Sequence, residues 1–217
     1  MSKLINIPNQ NLDEIITKKI IESEKVILIV SFWFVSGLKL ILDALKNFEN
    51  KSKLIIISSN YLKSTQPDAL EILLDLKEKG AKVYFYDSLS SGKGFHLKSY
   101  GFKFSHSRSS LIVGSSNISL SAFRNNKELN IEDTSLDTYQ KFEEITEVII
   151  KDKYTKPLTQ EIINEYKEVY ENYENIFLND EQINEEIKPF LFEGPNFVQE
   201  DALEVLKANR LEGVKRG

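Results

Sequence analysis

The sequence predicts an α/β protein: a mixed β-sheet flanked by helices on both faces, followed by a helical C-terminal segment. Three observations carry this expectation. Strand and helix patterns alternate through the first 150 residues, the rhythm of strands joined by helices that cover a sheet. Two of the strand runs, "KVILIVSF" and "KLIIISS", are apolar almost without interruption, as in strands buried on both faces. After Asp87 the pattern turns into a hairpin, which adds antiparallel strands to the same sheet.

The elements follow in order. Leu12, Ile15, Ile16 and Ile20 recur at helical spacing between Asn11 and Ser23, with Asn11 as a candidate N-cap. Lys25 to Phe32 is the first buried strand, Gly37 to Phe48 an amphipathic helix, and the run from Lys53 the second strand. Asp68 to Lys79 is a helix punctuated by Pro67 at its start and Gly80 past its end. "AKVYFYD" is a third strand. "FHLKSYGFKF", the turn "SHSRSS" and "LIVG" read as a hairpin, followed by a polar loop, "SSNISLS". "ELNIED" is a further strand, and Leu136 to Ile150 a helix opened by Thr134 or Ser135.

Beyond residue 150 the composition shifts. Ile162, Ile163, Tyr166, Val169, Tyr170, Tyr173, Ile176 and Phe177 form one helical stripe on an acidic, Asn-rich segment, which reads as a packing face. Residues 1–150 are therefore expected to form the main domain and 151–193 a helical linker. Pro189 and "EGPN" break the chain before a last helix from about Val198.

Composition narrows the function classes. The 217 residues are 41% hydrophobic and 28% charged, ordinary for a soluble globular protein. No apolar run approaches the ~20 residues of a spanning helix. The absence of cysteine excludes disulfides and thiolate metal sites and fits a cytoplasmic location. Two histidines are too few for a typical zinc site. The net charge of −5 hides an asymmetry. From Ser88 to Lys127 there is no Asp or Glu, while Lys93, Lys98, Lys103, Arg108, Arg124 and Lys127 make that stretch +6 and leave −11 on the other 177 residues. A basic stretch on an acidic body is what a polyanion site requires, so these cations are candidate nucleic-acid ligands.

Chemistry concentrates in the same stretch. His96 and Lys98 are i and i+2 on a predicted strand, so their side chains leave one face about 6–7 Å apart. An imidazole can attack phosphorus while an ammonium neutralises its oxygens. Downstream, "GSSN" (Gly114 to Asn117) follows a buried strand, with Ser115 and Asn117 alternating as neutral donors to a non-bridging oxygen. Glu128 opens the next strand, from where it could hold an imidazole in one tautomer. Taken singly, each residue is ordinary; as an ordered set they specify a phosphate site. Other motifs carry less. Glu49-Asn50-Lys51 closes a helix without a second carboxylate, His106 lies in a turn, and Trp33 reads as a core aromatic.

"HLKSY…LIVGSSNISLSAFRNNKELNIE" resembles the phospholipase D superfamily, whose signature is His-x-Lys, an Asp, then Gly-Ser-x-Asn. It is most similar to the nuclease branch, in which a glutamate follows the Gly-Ser-x-Asn loop. The likeness spans residues 20–150 by pattern and is specific over 94–131; it departs where Lys103 replaces the Asp of the signature. It implies a metal-independent phosphodiesterase or endonuclease acting on DNA. His96 would form a phosphohistidine, Lys98, Ser115 and Asn117 would stabilise the phosphoryl group, and a second imidazole would protonate the leaving oxygen. The chain has one such motif, so a homodimer with one shared site is expected. The opposing readings are a DNA-gripping module that does not cut, and a phospholipid-processing enzyme.

At the C-terminal end, "GPNFVQEDALEVL" resembles the entry to a superfamily 2 helicase, with Gln199 matching the adenine-reading glutamine. Residues 194–217 would then begin a helicase domain cut before its phosphate loop. No G-x-x-x-x-G-K-[ST] occurs, so no cofactor is expected here, and ATP only for such a downstream motor.

Overall fold

Residues 2–177 are described by the computed structural model, and their strands join in one eight-stranded sheet. In chain order the elements are β1 (Ser2–Ile7), α1 (Leu12–Glu22), β2 (Lys25–Val30), α2 (Val35–Asn47), β3 (Leu54–Ser59), α3 (Pro67–Glu78), β4 (Lys82–Tyr86) and α4 (Ser88–Ser91). Then come β5 (Lys98–Ser105), β6 (Arg108–Gly114), α5 (Leu120–Arg124), β7 (Glu128–Asp133), α6 (Leu136–Lys151), β8 (Thr155–Pro157) and α7 (Gln160–Phe177). The spatial order is β1-β7-β6-β5-β2-β3-β4-β8. β2, β3 and β4 are parallel, and the remaining pairings are antiparallel. The mixed sheet is the one the sequence predicts.

Strand alternation sorts side chains into two cores. Val26, Leu28, Leu54, Ile56, Val83, Tyr100, Phe102 and Ile112 point to the side packed by α1, α2, α3 and α7. Ile27, Ile29, Ile55, Ile57 and Leu111 point to the other, where Phe142, Ile149 and Ile150 of α6 cover them. One helix cannot cover eight strands. The α6 face of β1, β7 and the end of β6 therefore stays open, with Leu4, Val113, Leu129 and Ile131 exposed by 40–62%.

The structure adds four elements that the sequence reading passes over. β1 has only the alternation of Ile5 and Ile7, both fully buried, and is defined by pairing with β7. α4, α5 and β8 span three to five residues each, too short for any periodicity to register. The boundary expected at residue 150 falls inside the fold. β8 pairs with β4, Ile163 and Tyr166 of α7 are buried, and the Tyr166 hydroxyl donates to the Thr65 carbonyl at 2.8 Å. The stretch expected as linker is thus helical from Gln160, and Ile162, Ile163, Tyr166 and Tyr170 of its apolar stripe pack into the main core. The last helix from about 198, the helicase-like stretch and Gln199 lie outside the described residues.

Candidate active site

Topology brings the predicted site together at one edge of the sheet. β2, β3 and β4 end there, β6 ends there, and β5 and β7 begin there. The register fixes this: Val30 faces Lys98, Ser99 faces Val113, and Gly114 faces Asn130. His96, Lys98, Ser115, Asn117 and Glu128 therefore share that edge although 32 positions separate the first from the last.

His96 lies just before β5 and not within it, which corrects the strand assignment of the sequence reading. Its backbone is nevertheless held as an extension of the sheet: the Ser31 amide and hydroxyl both donate to the Leu97 carbonyl, at 2.8 and 3.0 Å. The i, i+2 geometry survives. The His96 ring sits 5.7 Å from Phe32 and 5.8 Å from Tyr61, and the Lys98 ammonium sits 5.3 Å from the Phe32 ring. Phe32 is the shared wall behind both.

Lys98 is 6% exposed, and its Nζ has no hydrogen-bond partner among the described residues. Burial lowers its pKa from 10.5 to about 8, against an opposing pull from the Glu128 carboxylate. A desolvated ammonium without a hydrogen-bond partner is costly unless an anion completes its environment. His96 is held below its ordinary 6.5, first by burial against the aromatic wall and then by the Lys98 charge. Its imidazole is therefore mostly neutral at pH 7, as a nucleophile requires.

The Gly114–Asn117 loop is anchored by residues that the sequence reading missed. Buried Asn130 donates from Nδ2 to the Ser116 hydroxyl at 2.9 Å and accepts from the Ser116 amide at 3.4 Å. The Tyr100 hydroxyl donates to the Ser116 carbonyl at 2.7 Å. A Cβ on Gly114 would run into the Asn130 side chain and the Leu129 carbonyl, so only glycine lets the loop approach β7 this closely. The serine between the two predicted donors is thus the structural foot of the loop. It leaves Ser115 exposed and Asn117 half-buried, with the Asn117 Oδ1 buried and without a hydrogen-bond partner among the described residues.

Glu128 opens β7. Its carboxylate accepts a hydrogen bond from the Ser115 hydroxyl, which in turn accepts from the Leu129 amide at 3.1 Å. It therefore orients Ser115, and its charge acts on Lys98 and Tyr100.

The basic stretch divides. Lys93 and Lys127 are exposed and border the site edge. Lys103 and Arg108 sit at the opposite end of the β5–β6 hairpin: Lys103 faces Lys25 in the register, and the Arg108 guanidinium lies 5.6 Å from the Phe104 ring. Five strand positions separate Lys103 from Lys98, about 16 Å, so neither is a ligand of the same phosphate. The place where Lys103 departs from the signature is equally remote from the chemistry. Arg124 is corrected as well. Its guanidinium forks onto buried Asp13 of α1, Nε at 3.1 and 3.2 Å and Nη2 at 2.5 Å. It ties α5 to α1. Trp33 is fully buried and donates to the Val30 carbonyl at 2.9 Å, a core residue as expected. His106 is exposed in the hairpin turn.

Residues 16–150 match the family model described as cardiolipin synthase, PLD-like domain. Nuc from Salmonella typhimurium, a phospholipase D family member, superposes with a TM-score of 0.55 at 12% identity, covering 74% of this chain and 99% of that one. NucT from Helicobacter pylori gives 0.57 at 17%, covering 73% and 99%. Phosphatidylserine synthase from Haemophilus influenzae gives 0.52 at 14%, covering 82% and 46%. At such identities the likeness establishes the fold. A search of curated proteins finds no match.

Proposed function

Since the chain belongs to the PLD-like domain family, whose model spans 16–150, we propose that it is a metal-independent phosphodiesterase that cleaves DNA through a phosphohistidine on His96. The observation that carries the reading is the buried Lys98 ammonium, without a hydrogen-bond partner among the described residues, beside a neutral imidazole at the edge that Ser115 and Asn117 share. A phosphodiester anion supplies what Lys98 lacks. In the first step a ring nitrogen of neutral His96 attacks phosphorus, an N–P bond forms, and the P–O bond to the leaving group breaks. A second, protonated imidazole gives its proton to the leaving oxygen. Water then attacks the phosphohistidine, that second imidazole takes its proton, the N–P bond breaks, and His96 returns neutral. Lys98, Ser115 and Asn117 hold the non-bridging oxygens.

The second imidazole comes from a second copy. His106, the other histidine, is exposed in a turn at the far end of the hairpin. The open apolar face of Leu4, Val113, Leu129 and Ile131 adjoins Ser115 and Glu128, and Leu97 beside His96 is 38% exposed. A two-fold contact there would bring two His96–Lys98 pairs face to face. It would also set the Glu128 charge near the partner's imidazole. DNA as the substrate rests on the nuclease-like residues 94–131 and on Lys93 and Lys127 at the rim. The helicase association rests on the sequence around Gln199, and the coding sequence that follows it is the test.

Labelled DNA incubated in excess EDTA tests the function. Cleavage by native protein and none by His96→Ala is expected. Activity that vanishes with chelator and returns with magnesium would overturn the mechanism. Binding without cleavage under any condition would make the domain a gripping module, and turnover of phospholipid alone would make it a lipid enzyme.

A further inference from the structure

The loop after β3 carries a strain that the phosphate chemistry does not use. Leu62 and Lys63 are consecutive non-glycine residues in the left-handed region, at φ of 53° and 52°. That region is unfavourable for L side chains, and such strain persists only where the surroundings over-determine it. Here they do. The Thr65 hydroxyl lies 3.0 Å from the Ser31 carbonyl and 2.8 Å from the Ser59 carbonyl, the Gln66 amide donates to the Trp33 carbonyl at 2.9 Å, and the Ser64 hydroxyl donates to the Leu62 carbonyl at 3.1 Å.

What the strained turn presents is Tyr61. Its ring is half-buried, near-parallel to Phe32 at 6.1 Å and edge-on to His96 at 5.8 Å. Gly94, two residues before His96, leaves the room: a Cβ there would meet the Tyr61 ring and hydroxyl at 3.3 Å. Phe32 is 2% exposed, so Tyr61 is the solvent-facing member of this aromatic wall. An aromatic ring next to the nucleophile contributes no charge to a phosphate. It does match the flat face of a nucleobase one sugar away from the scissile phosphorus.

Resting on the phosphodiesterase reading, we propose that Tyr61 is a positioning residue on which the base flanking the scissile phosphate stacks, setting that phosphate in line with His96. The ligand class is a nucleotide phosphodiester whose adjacent base has left its own stack. Ring stacking of this kind is worth about 1–3 kcal/mol, hence about 5- to 150-fold in rate.

The test uses thymidylyl-thymidine and its two analogues that each lack one thymine, with kcat and KM measured for native protein, Tyr61→Leu and Tyr61→Phe. Native protein and Tyr61→Phe should favour the full dinucleotide over one of the analogues by about 5- to 150-fold. Tyr61→Leu should cleave both at the rate native protein reaches on that analogue. The proposal is overturned if Tyr61→Leu keeps the discrimination, or if it loses activity equally on every substrate, which is how a purely structural tyrosine would behave. Native protein that cleaves labelled DNA but none of the three would overturn the platform alone; native protein that cleaves neither would overturn the phosphodiesterase reading, and the platform with it.

Discussion

Lys98→Met should make this protein more stable while removing its activity. Methionine keeps the length and the apolar stem of lysine and deletes the charge. The magnitude follows from the lowering of the Lys98 pKa from 10.5 to about 8, caused first by burial. Below pH 8 both folded and unfolded chains hold the proton, and the folded state carries the full desolvation cost. Between 8 and 10.5 the folded state sheds the proton first, so the cost fades; above 10.5 it is gone. At about 1.4 kcal/mol per pKa unit the cost at pH 7 is about 3 kcal/mol. Loss of the contact between the ammonium and the Phe32 ring returns about 1 kcal/mol. A net gain of about 2 kcal/mol should raise Tm by about 4–8 °C at pH 7 for a domain of this size. Thermal melts by circular dichroism at pH 7 and pH 10 read it directly, and the gap should shrink at the higher pH. Tungstate, as a phosphate mimic, should raise Tm for native protein and leave the Met variant unmoved. A Met variant that melts at or below native protein at pH 7 would refute the picture of a desolvated ammonium awaiting an anion.

Three further outcomes follow from the same geometry. kcat/KM should fall on the acid side with a midpoint below 6.5, because the nucleophile must be neutral and His96 is held low by burial and Lys98. It should also fall on the alkaline side, first as the second, acid imidazole loses its proton and at the latest by about pH 8 as Lys98 loses its own; a flat profile from pH 7 to 10 would contradict this. The double variant Lys93→Ala, Lys127→Ala should flatten the log–log dependence of DNA affinity on salt by about 2 per chain, whereas Lys103→Ala, Arg108→Ala should leave it unchanged. Arg124→Ala should act on stability, lowering Tm by several degrees with the salt slope intact, since it strips buried Asp13 of its partner.

Much of this is legible in the sequence, for a local reason. The uninterrupted apolar runs of β2 and β3 and the punctuation of α3 by Pro67 are written within a dozen residues. The His96–Lys98 and Ser115–Asn117 spacings are equally local, and the strand order then brings them to one edge. What escaped depends on contacts between distant positions. Arg124 looks like a free cation until Asp13, 111 residues earlier, is placed beneath it. Lys103 and Lys98 look like neighbours until strand direction separates them. Asn130 carries no motif, yet it holds Ser116 and sets the loop; its only trace was a polar residue at a position where β7 turns inward. Tyr61 could not be singled out from "NYLKS", because the left-handed turn that presents it follows no glycine or asparagine rule. β8 escaped because three residues carry no periodicity, and the apolar stripe of α7, though legible as a packing face, does not say which surface it packs against.

The proposed reaction turns on one covalent bond between His96 and phosphorus. Its most direct measurement is intact-protein and peptide mass spectrometry after native protein is mixed with a short labelled oligonucleotide in excess EDTA and quenched in alkali during turnover. A phosphoryl-linked nucleotide adduct on His96 is expected, at one adduct per two chains and absent from His96→Ala. Cleavage proceeding in EDTA with no adduct, with an adduct on another residue, or unimpaired in His96→Ala would contradict it.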